Sequence, residues 1–323
     1  MGLFQKVEKV RTGIKVLGYG GTGSGKSTFG LSACLSNKGI CAIDSEDGLK
    51  FYSSNPNLKY ILNTSSYDEL EEALEEIENE LIDDIETVLI DSETKFADNL
   101  NLSYLSVVEK RAKRKGQDVE DANLSLREYG KIKLIHKKLQ ALKIKLASQG
   151  INIISICQEK EIKEKKGDNW IVTGYVPDTN NKNLAYDYDI VLRFFTEKDV
   201  KTGEEIFKAE VQKDRTGVFK KGTIITNPTF SMWKSVYDEY STTEKQKTLD
   251  FNKDFERDEK KLQESEDGLA DIITQFKTIA KQLPKEDMIK VQKLCKDKGV
   301  DNPLKATDLG AMKEIVEFMT SLQ

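Results

Sequence analysis

A chain of 323 residues, 38% of them hydrophobic, is long enough to bury a sizeable core, while 33% charged residues and a mean hydropathy of −0.53 argue against a membrane-embedded class. A net charge of −5 excludes a globally basic nucleic-acid binder but leaves room for a local basic face. Cys34, Cys41, Cys157 and Cys295 stand singly without a CxxC pair, so neither a zinc site nor a disulfide framework is expected. The first residues lack a signal peptide's apolar core, and no run approaches the roughly 18 apolar residues of a spanning helix, so no membrane association and a cytoplasmic location are expected.

Residues 14–17 form an apolar run that predicts a strand, and residues 29–35 read as a helix. Between them stands Gly20-Gly21-Thr22-Gly23-Ser24-Gly25-Lys26-Ser27, followed by Thr28. It satisfies G-x-x-x-x-G-K-[ST] in the strand–loop–helix context that the motif's mechanism needs. The glycines let successive backbone N–H groups converge on phosphates, the helix N-terminus adds its positive end, and Lys26 reaches the β and γ oxygens. Ser27 is expected to hold Mg²⁺, so residues 20–28 are expected to bind Mg-ATP.

A second strand, 40–43, ends in Asp44-Ser45-Glu46-Asp47. Ser66 and Glu69 make a capping-box pattern that opens a helix with Leu70, Leu74, Ile77 and Leu81 inward. Its outer face carries Glu71, Glu72, Glu75, Glu76, Glu78 and Glu80, a poor surface to offer DNA. Residues 87–91 read as a buried strand ending in Asp91, the natural Walker-B carboxylate for the Mg²⁺ shell. Ser92 follows Asp91 and Glu93 comes one residue later, which departs from the usual AAA+ arrangement of a glutamate directly after the aspartate. The alternative hydrolytic base is Glu46, at the end of the strand that follows the P-loop helix.

Residues 96–125 are expected to be a helix and then a polar loop with a basic run at 110–115. From Leu126 a long helix places Ile132, Ile135, Leu139, Leu142 and Leu146 on one buried stripe, with Lys131, Lys133, Lys137, Lys138 and Lys145 largely off it. His136, in the same helix, has no partner pattern and reads as structural or surface. Residues 151–157, 189–195 and 206–211 are further strands, and the alternation of strands and helices predicts an α/β parallel sheet. Residues 241–266 hold few apolar positions and read as a charged linker or a solvated helix. Segments 269–283, 288–295 and 309–322 read as three short helices. The expected organisation is therefore a core over 1–240, a charged linker over 241–266 and a small helical domain over 267–323.

Ile40-Cys41-Ala42-Ile43-Asp44-Ser45-Glu46 resembles the RecA-family strand that ends in the catalytic glutamate, and Val88-Leu89-Ile90-Asp91-Ser92 resembles that family's Walker-B strand. Residues 153–158 are similar to the strand ending in the glutamine, here Gln158, that couples the γ-phosphate to DNA binding. Residues 184–193 and 211–217 resemble the two strands beyond the DNA-binding loop, with Lys213 and Arg215 like the cations that reach a neighbouring subunit's ATP. The resemblance spans roughly residues 14–235 and is strongest to the core-only RecA-like ATPases of bacteriophages that support single-strand annealing and recombination.

That resemblance implies an α/β RecA-like P-loop NTPase, a mostly parallel sheet flanked by helices with a small all-helical C-terminal appendage. It implies ATP hydrolysis in which Glu46 orients or deprotonates the water, Gln158 reports the nucleotide state, and Lys213 or Arg215 completes a neighbour's site in a homo-oligomer. If phage-encoded, the protein would work in the host bacterial cytoplasm. Segment 159–188 stands where that family has its second DNA-binding loop, and its composition suits a mobile loop. Lys160, Lys163, Lys165 and Lys166 would neutralise phosphates of single-stranded DNA while Trp170 or Tyr175 stacks on a base; the other reading is a β-hairpin with a solvated lysine face. The basic run 110–115 is a second DNA candidate, and Phe51 or Tyr52 either stacks on adenine or packs. The C-terminal helices would bind DNA, a single-strand-binding protein or other replication protein, or another copy of the chain. Against the resemblance, a RecA-type N-terminal polymerisation helix is missing, and Phe4 alone is left to dock on a neighbour. Two rival readings share the core: a helicase-like or helicase-loading ATPase, and a RecA-fold regulatory ATPase that binds protein partners.

Overall fold

Five strands rich in Val, Ile and Leu have stretches buried on both faces or nearly so, which is the pattern of a parallel sheet covered by helices. The computed structural model describes residues 12–79, 82, 84–120, 122–167, 169–179, 181, 183–241 and 251–322. In chain order its first unit contains β1 (Lys15–Gly20), α1 (Lys26–Leu31), β2 (Gly39–Asp44), β3 (Leu58–Asn63), α2 (Tyr67–Glu78), β4 (Ile85–Asp91), α3 (Glu93–Arg114) and α4 (Leu126–Ser148). It continues with β5 (Asn152–Lys166), β6 (Asn169–Pro177), β7 (Ile190–Lys198), β8 (Glu205–Asp214), β9 (Ile224–Thr226) and α5 (Lys234–Ser241). The strand order is β3-β2-β4-β5-β1-β7-β8-β9, with β6 paired to β5 alone. From β3 to β7 every neighbour is parallel, and β8 and β9 add antiparallel strands at one edge. This is the RecA-like P-loop architecture expected from the sequence, with β5 set between the strand that enters the P-loop and the strand that ends in Asp91.

The sheet separates two cores. On one face Leu70, Leu74 and Ile77 of α2, Phe96 and Leu100 of α3, and Ile132, Leu139, Leu142 and Leu146 of α4 pack on Val88, Ile90 and Ile153. On the other, Phe29 and Leu31 of α1 meet Phe194, Phe230 and Trp233 over Val16, Leu89 and Leu192. Ser66 caps α2 by accepting from the Glu69 amide, and Ser125 and Glu128 close a full capping box on α4. Leu81 and Glu80 of the α2 reading, and Phe4, lie outside the described residues. His136 is buried, its Nδ1 2.8 Å from the Tyr67 hydroxyl, and burial holds its pKa below the usual value.

Over 159–177 the segment is the β-hairpin of the second reading, not a mobile loop. β5 runs on through Lys166 and pairs antiparallel with β6, matching Lys160 to Val176 and Lys165 to Trp170. Ile162, Ile171, Val172 and Val176 supply the β-branched content that charge counting overlooks, and Gly167, at φ 65°, turns the chain back. β3 also escaped the sequence reading, because Lys59 and Tyr60 break the apolar run of an edge strand.

The second unit, Asp250–Gln323 against Met1–Leu249, has its own core. Here α6 (Phe251–Ala280), α7 (Lys285–Asp297) and α8 (Leu309–Ser321) bury Phe276, Val291, Cys295, Met312, Ile315 and Met319. Residues 242–250 of the segment read as a linker lie outside the described residues, and the rest of it is helical, Ser241 closing α5 and 251–266 lying in α6. Among the described residues no helix is long and apolar enough to cross a membrane.

Candidate nucleotide-binding site

Parallel strands deliver their C-terminal ends to one edge of the sheet, and in this fold that edge collects the P-loop, Asp44, Asp91 and Gln158. β1 ends at Gly20, level with Gln158 on β5 and Phe194 on β7. A Cβ on Gly20 would lie 2.2 Å from the Phe194 carbonyl oxygen, so the close approach of the two backbones requires glycine. Gly25, at φ 91°, turns the loop into α1, and the Phe207 ring of β8 lies against it. Thr22 and Gly23 are exposed, Gly21 half-exposed and Thr28 exposed, while Ser24 is buried and donates 2.8 Å to the Gly21 carbonyl.

Lys26 folds back over its own loop, its Nζ donating to the carbonyls of Gly20 at 3.0 Å and Gly21 at 2.7 Å. Burial pulls its pKa down, opposed by the negative charges of Asp91, Glu46 and Glu159. Ser27 Oγ donates 2.6 Å to Asp91 Oδ2. Desolvation pushes the buried Asp91 carboxyl up to about 6, helped by Glu46 and Asp44 and opposed by the Ser27 hydroxyl and Lys26. A hydroxyl and a carboxylate in contact are hard oxygen donors. Among the described residues no group of three or more His, Cys, Asp and Glu side chains is arranged to hold a metal by itself.

Beyond β2 the chain is held by Asp44, whose two carboxylate oxygens accept from the amides of Glu46 at 3.0 Å and Leu49 at 2.7 Å. Ser45 ties this turn to the end of β4: its amide donates to the Asp91 carbonyl at 2.7 Å, and its hydroxyl accepts from the Ser92 amide at 2.8 Å and donates to the Ser92 carbonyl at 3.0 Å. Glu46 therefore stands beside Ser92. Its Oε1 accepts from Ser92 Oγ at 2.8 Å and from Gln158 Nε2 at 3.0 Å. The Gln158 amide donates 3.0 Å to Thr94 Oγ1, and that hydroxyl donates 2.7 Å to the Asp178 carbonyl, closing the base of the β5–β6 hairpin.

Glu93 is elsewhere. Its carboxylate is buried in an ion pair with Lys143, accepts 2.9 Å from the Tyr188 hydroxyl, and is turned into the core rather than toward the P-loop. Burial alone would raise its pKa, but the Lys143 ammonium and the surrounding donors hold it low. Lys213 and Arg215 are also not gathered with the P-loop. Lys213 pairs with Val191, which is level with Leu17, about 10 Å down the strand from the level of Gly20. Both side chains donate to the Tyr186 carbonyl, Lys213 at 3.1 Å and Arg215 at 3.1 Å. Phe51 is 81% exposed with the Lys50 ammonium 5.4 Å from its ring centroid.

No role for Ser45, Ser92, Thr94 or the pair Glu159–Arg193 follows from the sequence. Glu159, one residue beyond Gln158, accepts 2.9 Å from Arg193 Nε, and the Arg193 guanidinium lies 3.7 Å from the Tyr175 ring centroid at the hairpin base. For Ser45, Ser92, Thr94 and Glu159 the sequence offers only a polar residue just past a buried strand stretch, and Arg193, inside β7, offers not even that.

A family model described as an AAA domain matches residues 12–221. Among solved structures, the chain is similar to a KaiC-like protein from the hyperthermophilic archaeon Pyrococcus horikoshii OT3, at 16% identity, covering 67% of this chain and 90% of that one, with a TM-score of 0.37. No curated protein matches the chain.

Proposed function

Since the chain belongs to the AAA-domain family and is a P-loop ATPase, we propose that it couples hydrolysis of Mg-ATP to action on single-stranded DNA, in bacteriophage recombination, annealing or replication. The observation that carries this reading is the continuity of β5. One strand begins in the core, brings Gln158 to the Glu46 carboxylate, and runs on into a hairpin bearing Lys160, Lys163, Lys165, Lys166 and a 66% exposed Trp170. Lysines for phosphates and an exposed aromatic for bases are the sequence-neutral means of gripping a single strand.

In the proposed reaction the amides of residues 20–28 and Lys26 bind the phosphates and stabilise the charge that develops on them. Ser27 and Asp91 would hold Mg²⁺, which when bound neutralises phosphate charge; their oxygen donors, one of them a desolvated carboxylate, fit that ion. Glu46 orients the water and accepts its proton. Gln158 exchanges its bond to Glu46 for one to the γ-phosphate, and the strain passes along β5 to the hairpin. Lys213 and Arg215, remote from their own P-loop, complete the site of an adjacent copy in a homo-oligomer. The C-terminal helices, with exposed Ile289 and Leu304, would contact a single-strand-binding protein or another replication protein.

The test is ATP turnover with and without single-stranded DNA over a range of salt, beside Lys26→Ala and Glu46→Gln. Stimulation that fades with salt, and loss of turnover in both variants, is the expected result. Turnover indifferent to DNA, with no binding, would leave a regulatory ATPase whose C-terminal helices bind protein partners.

A further inference from the structure

We infer that Ser92 is a positioning residue for the carboxylate of Glu46, a role that rests on the proposed use of Glu46 as the base. Ser92 stands at the N-cap of α3 in an extended conformation, where a serine ordinarily turns its hydroxyl onto the first amides of its own helix. Here it makes no capping bond. Its hydroxyl instead crosses to Glu46 Oε1 at 2.8 Å. The local use of the side chain is given up for a contact with a residue 46 positions away.

The geometry of Ser92 is over-determined, and that of Glu46 is not. Ser92 is 1% exposed, and Ser45 grips both its amide and its carbonyl. Its hydroxyl is therefore a fixed donor. Glu46 is exposed, with a long side chain free to rotate away from the P-loop unless something holds it. The two donors that hold it, Ser92 and Gln158, both fall on Oε1, which directs Oε2 away from them for a water. They differ in kind: Gln158 lies on the strand that leads to the hairpin, whereas Ser92 is locked to the Asp91 strand. Ser92 thus keeps Glu46 aimed whatever Gln158 does. In this chain the position after the Walker-B aspartate supplies the base's anchor, where many P-loop ATPases put the base itself.

The experiment is a double-mutant cycle on Ser92→Ala and Glu46→Gln, read by steady-state turnover, by binding of a fluorescent ATP analogue and by thermal melting. Ser92→Ala should fold, because the partner it deprives is at the surface. Expected is a fall in kcat of roughly ten- to a hundredfold, the scale of misplacing a reacting group by about 1 Å, with KM and analogue affinity within about twofold of the parent. In the Glu46→Gln background the same change should have no further effect. Wild-type kcat in Ser92→Ala beside an inactive Glu46→Gln would overturn the inference while leaving the base assignment intact. So would a loss that multiplies onto Glu46→Gln, or one that comes with lost analogue binding and a lowered melting temperature. Wild-type turnover in Glu46→Gln itself would instead remove the base, and the inference with it.

Discussion

Lys143→Met isolates a charge at the centre of the first unit. Lys143 is 1% exposed, comes from the C-terminal third of α4, and meets Glu93 at the start of α3. Methionine keeps the length and the packing and removes only the ammonium, leaving Glu93 buried with the Tyr188 hydroxyl as its main donor. Breaking a buried pair from one side costs about 3–5 kcal/mol. For a unit of this size that is roughly 6–20 °C in melting temperature, to be read by thermal and urea denaturation. The loss has a definite pH dependence. In the parent, Lys143 holds the Glu93 pKa low, so the pair contributes stability above the unfolded carboxyl pKa that is lost as pH falls through the folded value. In the variant burial is opposed only by the Ser155 and Tyr188 hydroxyls, so the folded pKa should rise above the unfolded one and protonation relieve the penalty, and the deficit should shrink from pH 8 to pH 5. The double variant Glu93→Gln/Lys143→Met should recover much of the stability, and with it turnover, since Glu93 is turned away from the P-loop. A deficit under about 1 kcal/mol, or one equal at both pH values, would refute the reasoning.

Asp91→Asn should stabilise the nucleotide-free protein at pH 7, by up to about 3 kcal/mol, because the Asp91 pKa is raised from 3.8 to about 6 and its stability contribution, present below pH 4, is lost as pH rises through 6. Urea midpoints from pH 4 to 8 would check this, and the same variant should lose Mg-dependent ATP binding in calorimetry. In the hairpin, Lys163→Ala/Lys165→Ala should reduce the slope of log affinity for single-stranded DNA against log salt by about 1.4, at about 0.7 for each phosphate contact. Trp170→Ala should cost about 1–3 kcal/mol of that affinity in fluorescence anisotropy, and no change would count against stacking on this face.

The P-loop is legible in the sequence because its chemistry is local: backbone amides, a lysine and a hydroxyl within eight consecutive residues need only the strand before and the helix after. Asp44, Glu46, Asp91 and Gln158 are visible to a lesser degree, since each ends an apolar run, and parallel strands all end on one edge. The two helical stripes on α2 and α4, and the α/β class, follow from periodicity alone. What joins these pieces is decided in three dimensions. That β5 lies between β1 and β4 is a matter of strand order, and it alone brings Gln158 to Glu46 across 112 positions of sequence. Lys143 carries the same charge as the solvated lysines around it on α4, and only the approach of α3 gives it Glu93 as a buried partner. Lys213 and Arg215 resemble in sequence the cations of a neighbour's site, and their distance from their own P-loop is decided by β8, which runs antiparallel to β7 and returns them to the far end of the sheet. Ser92 reads as a helix cap, and its hydroxyl is redirected only because Ser45 and Glu46 arrive from the end of β2. A hydrogen bond is short-ranged and directional, so a sequence names its donors and acceptors, while the packing of strands and helices chooses which of them meet.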